Sequence, residues 1–531
     1  MRAFLRGGSG AGAIVGVHAP GGWGKTELAK HVADEMRNQF EGVLWVDVGE
    51  KTAPEVVVEM LRGCGLQTQL GASYELQKTE LHHYLSTHSL LVVLDDMRQG
   101  ALTGLADFLP SKPCAALITS RIQQIGGVTK TFPLKPMAQE QAFALLEAVL
   151  GADVVAAETE VAAKLAERCA FNPLALEIAA RRIRQLEGMK KPITHYFEIA
   201  QGRFSELHME GDVRWDMKNI FDLSYEDLSA DDKKCFRSLA AFQPSGFSPT
   251  AAAFLWQVDE NVSRAVLSRF INLSLVKIAE SGRERYRLHD LLNEYAGSKL
   301  HEDKTEEILF RDALAEWIIG LFSSHFIDDQ STAPRVAEER ANLLLSCEWA
   351  RGQKNAGLLA RLTTQSRNWF YVSFTEDWIY WIAWLEACLQ LGLSDGQLKA
   401  NVLKAIGDVQ QFRKEMDAAL ASYNAALQLF RAVGDRLGEA NVYLSIGSTK
   451  RESGDISGAR KDFQYALERY KEIGDGYSQA RALYRIADCE KDEGNREQAL
   501  ELYKAAYEIW RNIGLLDIAN QIIKPRMDEI S

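Results

Sequence analysis

Between Ala19 and Thr26 the chain reads Ala-Pro-Gly-Gly-Trp-Gly-Lys-Thr. Three glycines, a lysine and a hydroxyl in that order are what a phosphate-binding loop requires. Gly21, Gly22 and Gly24 let the backbone turn its N–H groups inward around phosphate oxygens. Lys25 reaches the β- and γ-phosphates, and the Thr26 hydroxyl ligates Mg²⁺. Trp23 and Glu27 flank these groups and complete the expected nucleotide-binding stretch. A glycine-rich turn ahead of a helix is the plain alternative. A second constellation is Leu90-Leu-Val-Val-Leu-Asp-Asp96, an apolar run capped by two acids. Asp95 is expected to hold Mg²⁺ through water, because hard cations prefer carboxylate oxygen. Asp96 is expected to orient or deprotonate an attacking water. The third is Arg121, two residues after the apolar run Ala115-Ala-Leu-Ile-Thr119. At the carboxyl end of a parallel strand it points at the ligand crevice, where it can sense a γ-phosphate by charge-assisted hydrogen bonds. The catalytic set on this reading is Lys25, Asp96 and Arg121, and the metal set is Thr26 and Asp95.

Such side chains need elements to hold them. Ala13-Ile-Val-Gly-Val17 reads as a buried strand ahead of the loop, and Glu27–Met36 as a helix with one apolar face. The helix N-terminus adds partial positive charge where phosphate would sit. Gly42–Asp47, Leu90–Asp96, Ala115–Thr119 and Thr131–Leu134 read as further strands, with helices at about 54–62 and 73–87. Strands alternating with helices imply a parallel sheet covered on both faces.

Composition sets the bounds. At 531 residues the chain has room for three or more domains. With 47% hydrophobic and 25% charged residues it reads as an ordinary globular protein. A net charge of −12 argues against general affinity for nucleic acid or anionic membranes. Seven scattered cysteines show no metal-like spacing and read as reduced thiols. No apolar run reaches the roughly 18 residues of a membrane span, and no cleavable signal is visible, so a cytoplasmic location is expected.

From Ala138 the chain turns helical, over Gln139–Leu150, Glu158–Cys169 and Leu174–Gln185. Pro173, in Phe171-Asn-Pro-Leu-Ala-Leu176, fits the first turn of a helix. Further helices are read at Asp222–Leu228, Asp231–Phe242, Thr250–Trp256 and Val262–Ile271. Two short strands, Leu275–Ala279 and Arg285–Leu288, joined through Ser281-Gly282, complete the pattern of a winged helix. His289-Asp290 then opens a helix over Leu291–Lys299; a structural histidine and an Asp290 N-cap are the plain alternative for this pair.

The ordered set resembles the NB-ARC branch of the STAND signal-transduction NTPases, which includes plant disease-resistance proteins, animal apoptosome scaffolds and bacterial regulators. The resemblance rests on Ala19–Thr26, Leu91–Asp96, Ile118–Arg121, Asn172–Leu176, Leu223–Tyr225 and Leu288–Asp290. It implies ATP/ADP with Mg²⁺ as ligands, Pro173 beside the adenine, and His289 on the β-phosphate as a lock of the ADP-bound state. Two positions depart from the family: Ala19 replaces a glycine, and Phe171 stands where a glycine usually precedes the proline by two. Leu288 in place of the usual methionine is conservative.

The tail repeats every 40 residues. Gly434, Gly474 and Gly514 align, as do Ala419, Ala459 and Ala499; Ala426, Ala466 and Ala506; and Ile406, Ile446 and Ile486. Aromatics recur as Tyr423, Phe463, Tyr503 and as Phe430, Tyr470, Trp510. This resembles tetratricopeptide repeats, three helix pairs over about 398–522, whose stacking forms a concave surface for a protein or peptide. Trp349, Trp369, Trp378, Trp381 and Trp384 read as the core of degenerate repeats ahead of them.

The expected fold is multidomain: an α/β P-loop domain (1–135), a helical subdomain (136–205), a winged helix (206–300), a helical linker (301–397) and an all-α repeat superhelix (398–531). The expected function is an ATP/ADP-dependent switch. Its repeats sense a ligand or partner, it oligomerises when activated, and its ATPase is slow. The alternatives are a winged-helix regulator that binds DNA directly and a scaffold that binds nucleotide without hydrolysis. Residues 206–299 carry 12 Lys/Arg against 15 Asp/Glu, no footprint for DNA. Met1–Arg6 reads as the tail of a helix, so a preceding segment, with or without an effector domain, is expected upstream or on a separate chain.

Overall fold

A computed structural model describes residues 1, 5, 11–16, 23–49, 51–66, 74–122, 125–186, 188–204, 213–279, 284–323, 338–366 and 377–530. The readings of Ala19, Gly21, Gly22, most of Met1–Arg6, the Ser281-Gly282 turn and Trp369 lie outside them. Two compact units emerge, one built on residues 1–314 and the other on 315–373 and 377–531.

The first unit begins with a parallel five-stranded sheet. Its strands are β1 (Ala11–Gly16), β2 (Gly42–Asp47), β3 (Leu90–Met97), β4 (Ala115–Ser120) and β5 (Lys130–Leu134), in the order β2-β3-β4-β1-β5. Continuous apolar runs suit strands buried on both faces. Leu91 and Val93 pack with helix α1 (Lys25–Met36) on one face. Val92 and Leu94 pack with α2 (Ala53–Gly63) and α3 (Tyr74–Thr87) on the other. α1 buries Ala29, Val32, Ala33 and Met36, the i, i+3, i+4, i+7 stripe of an amphipathic helix. Pro133 is tolerated because β5 is an edge strand.

Four helices follow the sheet: α4 (Gln139–Leu150), α5 (Ala152–Ala157), α6 (Thr159–Arg168) and α7 (Pro173–Arg184). Asn172 caps α7, its Oδ1 accepting from the N–H groups of Leu174 (3.0 Å) and Ala175 (3.2 Å), with Pro173 in the first turn. Ala170 (φ 49°) and Phe171 (φ 52°) precede it in the left-handed region. That backbone is costly for a side chain with a Cβ and explains why glycine is usual at the position of Phe171. The sequence reading missed α5, the helix Pro192–Phe204, the short helices Gln99–Leu102 and Leu105–Phe108, and all but the end of Val213–Glu226. Helices Ala230–Ser238, Pro249–Trp256 and Glu260–Asn272 lead to an antiparallel pair, β6 (Lys277–Ile278) and β7 (Tyr286–Arg287). The final helix of this set is Asp290–His301.

The second unit is helical. Trp381 and Trp384 are buried, Trp349 is only half-buried, and the side chain of Trp378 is not described. Three helix pairs follow: Gly396–Phe412 with Met416–Val433, Arg436–Glu452 with Ile456–Ile473, and Gly476–Asp492 with Arg496–Asn512. Ala419, Ala459, Ala499, Ala426, Ala466 and Ala506 are fully buried, which brings helices close. Tyr423, Phe463, Tyr503, Phe430, Tyr470 and Trp510 fill the space between them. Gly434, Gly474 and Gly514 have φ of 75°, 79° and 83°, the left-handed residue that ends a helix.

Candidate functional site

One pocket in the first unit gathers the dispersed candidates. Gly24, Lys25, Thr26, Glu27, Asp96, Thr119, Arg121, Pro173 and His289 line it, together with Leu174, Glu177, Lys277, Arg287, Leu288 and Asp290. Gly24 adopts φ 79° at the N-cap of α1, a conformation that glycine reaches without strain. The chain thereby enters α1 with Lys25 and Thr26 in its first turn. Asp95 and Trp23 are not part of the pocket lining; Asp95 lies just beneath it, buried and bonded to Thr26.

β3 and β4 present the acids. Asp95 Oδ1 accepts hydrogen bonds from Thr26 Oγ1 (3.0 Å) and from Thr119 Oγ1. Burial raises the Asp95 carboxyl above its usual range, against the pull of those two hydroxyls. Thr119 Oγ1 in turn accepts the Asp96 N–H at 2.8 Å. The ladder shifts register between Leu94 and Met97, and Asp96 takes φ 51° there. Asp96 Oδ2 accepts from Arg98 Nε at 2.8 Å and pairs with Arg98 Nη2 at 2.7 Å. Burial first, and the charge of Asp290 second, push the Asp96 carboxyl up to about 6 despite Arg98.

Arg121 projects from the end of β4 into two carboxylates of the helix Asp290–His301. Its Nη2 lies 2.8 Å from Asp290 Oδ2 and its Nη1 2.8 Å from Glu294 Oε1. The N-cap of that helix is His289, not Asp290, which the plain alternative had as the cap. His289 Nδ1 accepts the Leu291 N–H at 3.3 Å. A ring nitrogen that accepts carries no proton, so the neutral ring has its hydrogen on Nε2. Burial agrees, holding the imidazole down to about 4. On the far wall Glu177 of α7 accepts from Ser274 Oγ at 3.0 Å and lies 3.7 Å from Lys277 Nζ.

The donor set fits a polyphosphate. Lys25 makes no hydrogen bond or ion pair to a described group. Burial, with Arg121 second, lowers its ammonium below the usual range. The Asp96, Asp290 and Asp95 carboxylates attract it at longer range, but a buried ammonium with no direct hydrogen bond stays costly until an anion arrives. The Thr26–Asp95 pair suits Mg²⁺, which takes most of its ligands from water and phosphate. No group of three or more metal-ligating side chains occurs among the described residues. Arg98, Glu177, Lys277 and Arg287 escaped the sequence reading, because none belongs to a spaced motif; Thr119 lay inside the Ile118–Arg121 segment but was given no role.

A strand, a glycine turn, Lys-Thr at a helix start and a paired acid two strands away define a P-loop nucleotide-binding protein. The NB-ARC domain model matches residues 3–155 and a tetratricopeptide repeat model matches residues 398–472. The chain therefore carries an NB-ARC domain and tetratricopeptide repeats, and the first implies nucleotide binding. It is 32% identical over 301 residues to the regulatory protein AfsR of Streptomyces griseus, covering 55% of this chain and 30% of that protein. It is 26% identical over 317 residues to the disease resistance protein RRS1B of Arabidopsis thaliana, covering 57% of this chain and 22% of that one. A crystal structure of a STAND protein with a tetratricopeptide repeat sensor from Pyrococcus horikoshii covers 98% of this chain and 84% of its own, at 16% identity and a TM-score of 0.41. The chain spans less than a third of the length of these curated relatives. No helix among the described residues is long and apolar enough to cross a membrane.

Proposed function

We propose that the chain is an ATP/ADP-dependent signalling switch, held off by a contact between the end of β4 and the helix that follows the β6–β7 hairpin. The observation that carries this reading is the pairing of Arg121 with Asp290, next to His289, on the wall of the nucleotide pocket. Arg121 stands where a γ-phosphate sensor is expected. It can serve Asp290 or a terminal phosphate, but not both at full strength. ADP leaves the Arg121–Asp290 pair intact, whereas ATP supplies a competing anion. That is the differential interaction a two-state switch needs.

In this reading Lys25 and the Nε2–H of His289 address the phosphates, Pro173 lies by the base, and Thr26 and Asp95 hold Mg²⁺. The metal would supply charge neutralisation. Asp96 is the base for a slow hydrolysis that resets the switch, and Arg98 must let go of it first. Residues 206–300 act as a winged-helix latch rather than as a DNA reader. The tetratricopeptide repeats receive a protein or peptide, and activation proceeds through self-association. The test is to compare wild type with Asp290→Val by light scattering in ADP and in ATP. Larger assemblies of the variant in ATP are expected, and an identical mass in both nucleotides would refute the latch. A binding scaffold without hydrolysis is the second reading, favoured by the Arg98 bonds that occupy Asp96.

A further inference from the structure

Four basic side chains line the pocket: Lys25, Arg121, Lys277 and Arg287. Two are neutralised by protein groups. Arg121 is paired with Asp290 and Glu294, each at 2.8 Å, and Lys277 has Glu177 at 3.7 Å. Lys25 and Arg287 are different: neither makes a hydrogen bond or ion pair to a described group. For Lys25 the phosphate-binding loop supplies the reason. Arg287 belongs to no motif and lies in another part of the unit, on β7, where it stands opposite Lys277 of β6 in the antiparallel register.

The backbone explains how Arg287 reaches the same pocket as His289. The two are separated by a single residue just past the end of β7, and His289, as the N-cap, has φ −66° and ψ 146°. Arg287, Leu288 and His289 all line the pocket, so the guanidinium and the imidazole border one space, with the largely buried Leu288 between them. A guanidinium has five N–H donors in a planar fork, a geometry that matches two phosphate oxygens at once. Leaving it half-buried with those donors unused is unfavourable unless an anion takes them up.

We propose that Arg287 is a ligand of the nucleotide diphosphate, reaching it from the hairpin side as Lys25 does from the loop side. This rests on the nucleotide reading of the same pocket. Its consequence is specific. The β-phosphate is gripped by both ends of the first unit, so a diphosphate binds the latched arrangement better than a monophosphate does.

The test uses the full chain stripped of nucleotide and titrated with ADP and with AMP in Mg²⁺. Arg287→Gln should weaken ADP at least tenfold and AMP less than threefold. Arg287→Lys, which keeps the charge and loses the fork, should fall between. ADP affinity within twofold of wild type in Arg287→Gln, or equal losses for ADP and AMP, would overturn the proposal. If Arg287→Gln does not fold, Arg287→Lys decides, and an unchanged ADP:AMP ratio counts against Arg287. Lys25→Ala separates the two levels. If it binds ADP like wild type, the nucleotide reading of the pocket fails. If it loses ADP while both Arg287 variants keep the wild-type ratio, only the role of Arg287 fails.

Discussion

Arg121 and Asp290 are 169 residues apart in the chain and joined by a 2.8 Å hydrogen bond. Both side chains are about one-third exposed, so the pair is neither a surface ornament nor a sealed core bridge. A charge-assisted bond in that setting contributes about 1–2 kcal/mol. Asp290→Val should therefore speed ADP release by roughly 5- to 30-fold at 25 °C. Stopped-flow release of a fluorescent ADP analogue reads this directly. Arg121→Ala also removes the Glu294 pair and should speed release at least as much, and the double variant should match Arg121→Ala, since Asp290 acts through Arg121. Additive effects would mean the two residues act separately.

Lys25 yields a prediction with an unusual sign. Burial and Arg121 outweigh the pull of Asp96, Asp290 and Asp95 on an ammonium that makes no direct hydrogen bond to a described group, so its charge disfavours the empty fold. Lys25→Ala should abolish nucleotide binding and leave the melting temperature of the nucleotide-free protein equal or higher. A variant that loses binding because it unfolds would point to a structural lysine.

Two pocket groups titrate in opposite senses. His289 is held near 4 in the fold against 6.5 when free, so the unfolded chain binds the extra proton and stability is lost as pH falls from about 6.5 towards 4. Asp96 is raised to about 6 from 3.8, so the fold binds the extra proton and stability is gained over nearly the same descent. Melting temperatures between pH 4 and 6.5 should fall less steeply with acid in His289→Gln and more steeply in Asp96→Asn. If hydrolysis is measurable, kcat/KM should drop below a pH of about 6, and Asp96→Asn should abolish that limb together with the activity.

The phosphate-binding stretch and the paired acids were legible in the sequence because each is local, with its chemistry inside one short window. The partners of those groups were not. Arg98 lies in no spaced motif, Thr119 sits in one without an assigned role, and Arg121 meets Asp290 only because the first unit folds back on its own sheet. The cap was not decided by the sequence, for a related reason. Asp is the usual N-cap, but the residue with extended backbone at that helix start is His289. The missed helices differ in signal: α5 is only six residues long, whereas Pro192–Phe204 buries Ile193, Tyr196 and Ala200 at i, i+3 and i+7, a stripe that periodicity could have found. The family departure at Phe171 became intelligible only from its φ of 52°.

The repeats carry an internal control. Tyr423 Oη donates to Asp408 at 2.9 Å and Tyr503 Oη to Asp488 at 2.6 Å. The middle repeat has Phe463 and Ser448 at the equivalent positions, so hydroxyl and carboxylate are absent together. Phe463→Tyr alone should cost about 1–3 kcal/mol by burying an unpaired hydroxyl. Adding Ser448→Asp should recover at least half of that in urea unfolding. Simple additivity would show that the pairing is incidental.

The sensor assignment is open to truncation. A chain ending near residue 400 should keep nucleotide affinity, because repeats contact mainly their neighbours. It should lose its response to activator or become constitutively active, read as assembly in ATP. A normal response without the repeats would place the sensor elsewhere.

The central claim is that the pocket between Lys25 and His289 retains ADP, and nucleotide analysis of the purified chain tests it most directly. Wild type is predicted to release close to one equivalent of ADP on denaturation, Lys25→Ala none, and His289→Ala or Asp290→Val a mixture shifted towards ATP. A wild-type chain that emerges without nucleotide and fails to bind added Mg²⁺–ADP would contradict the account.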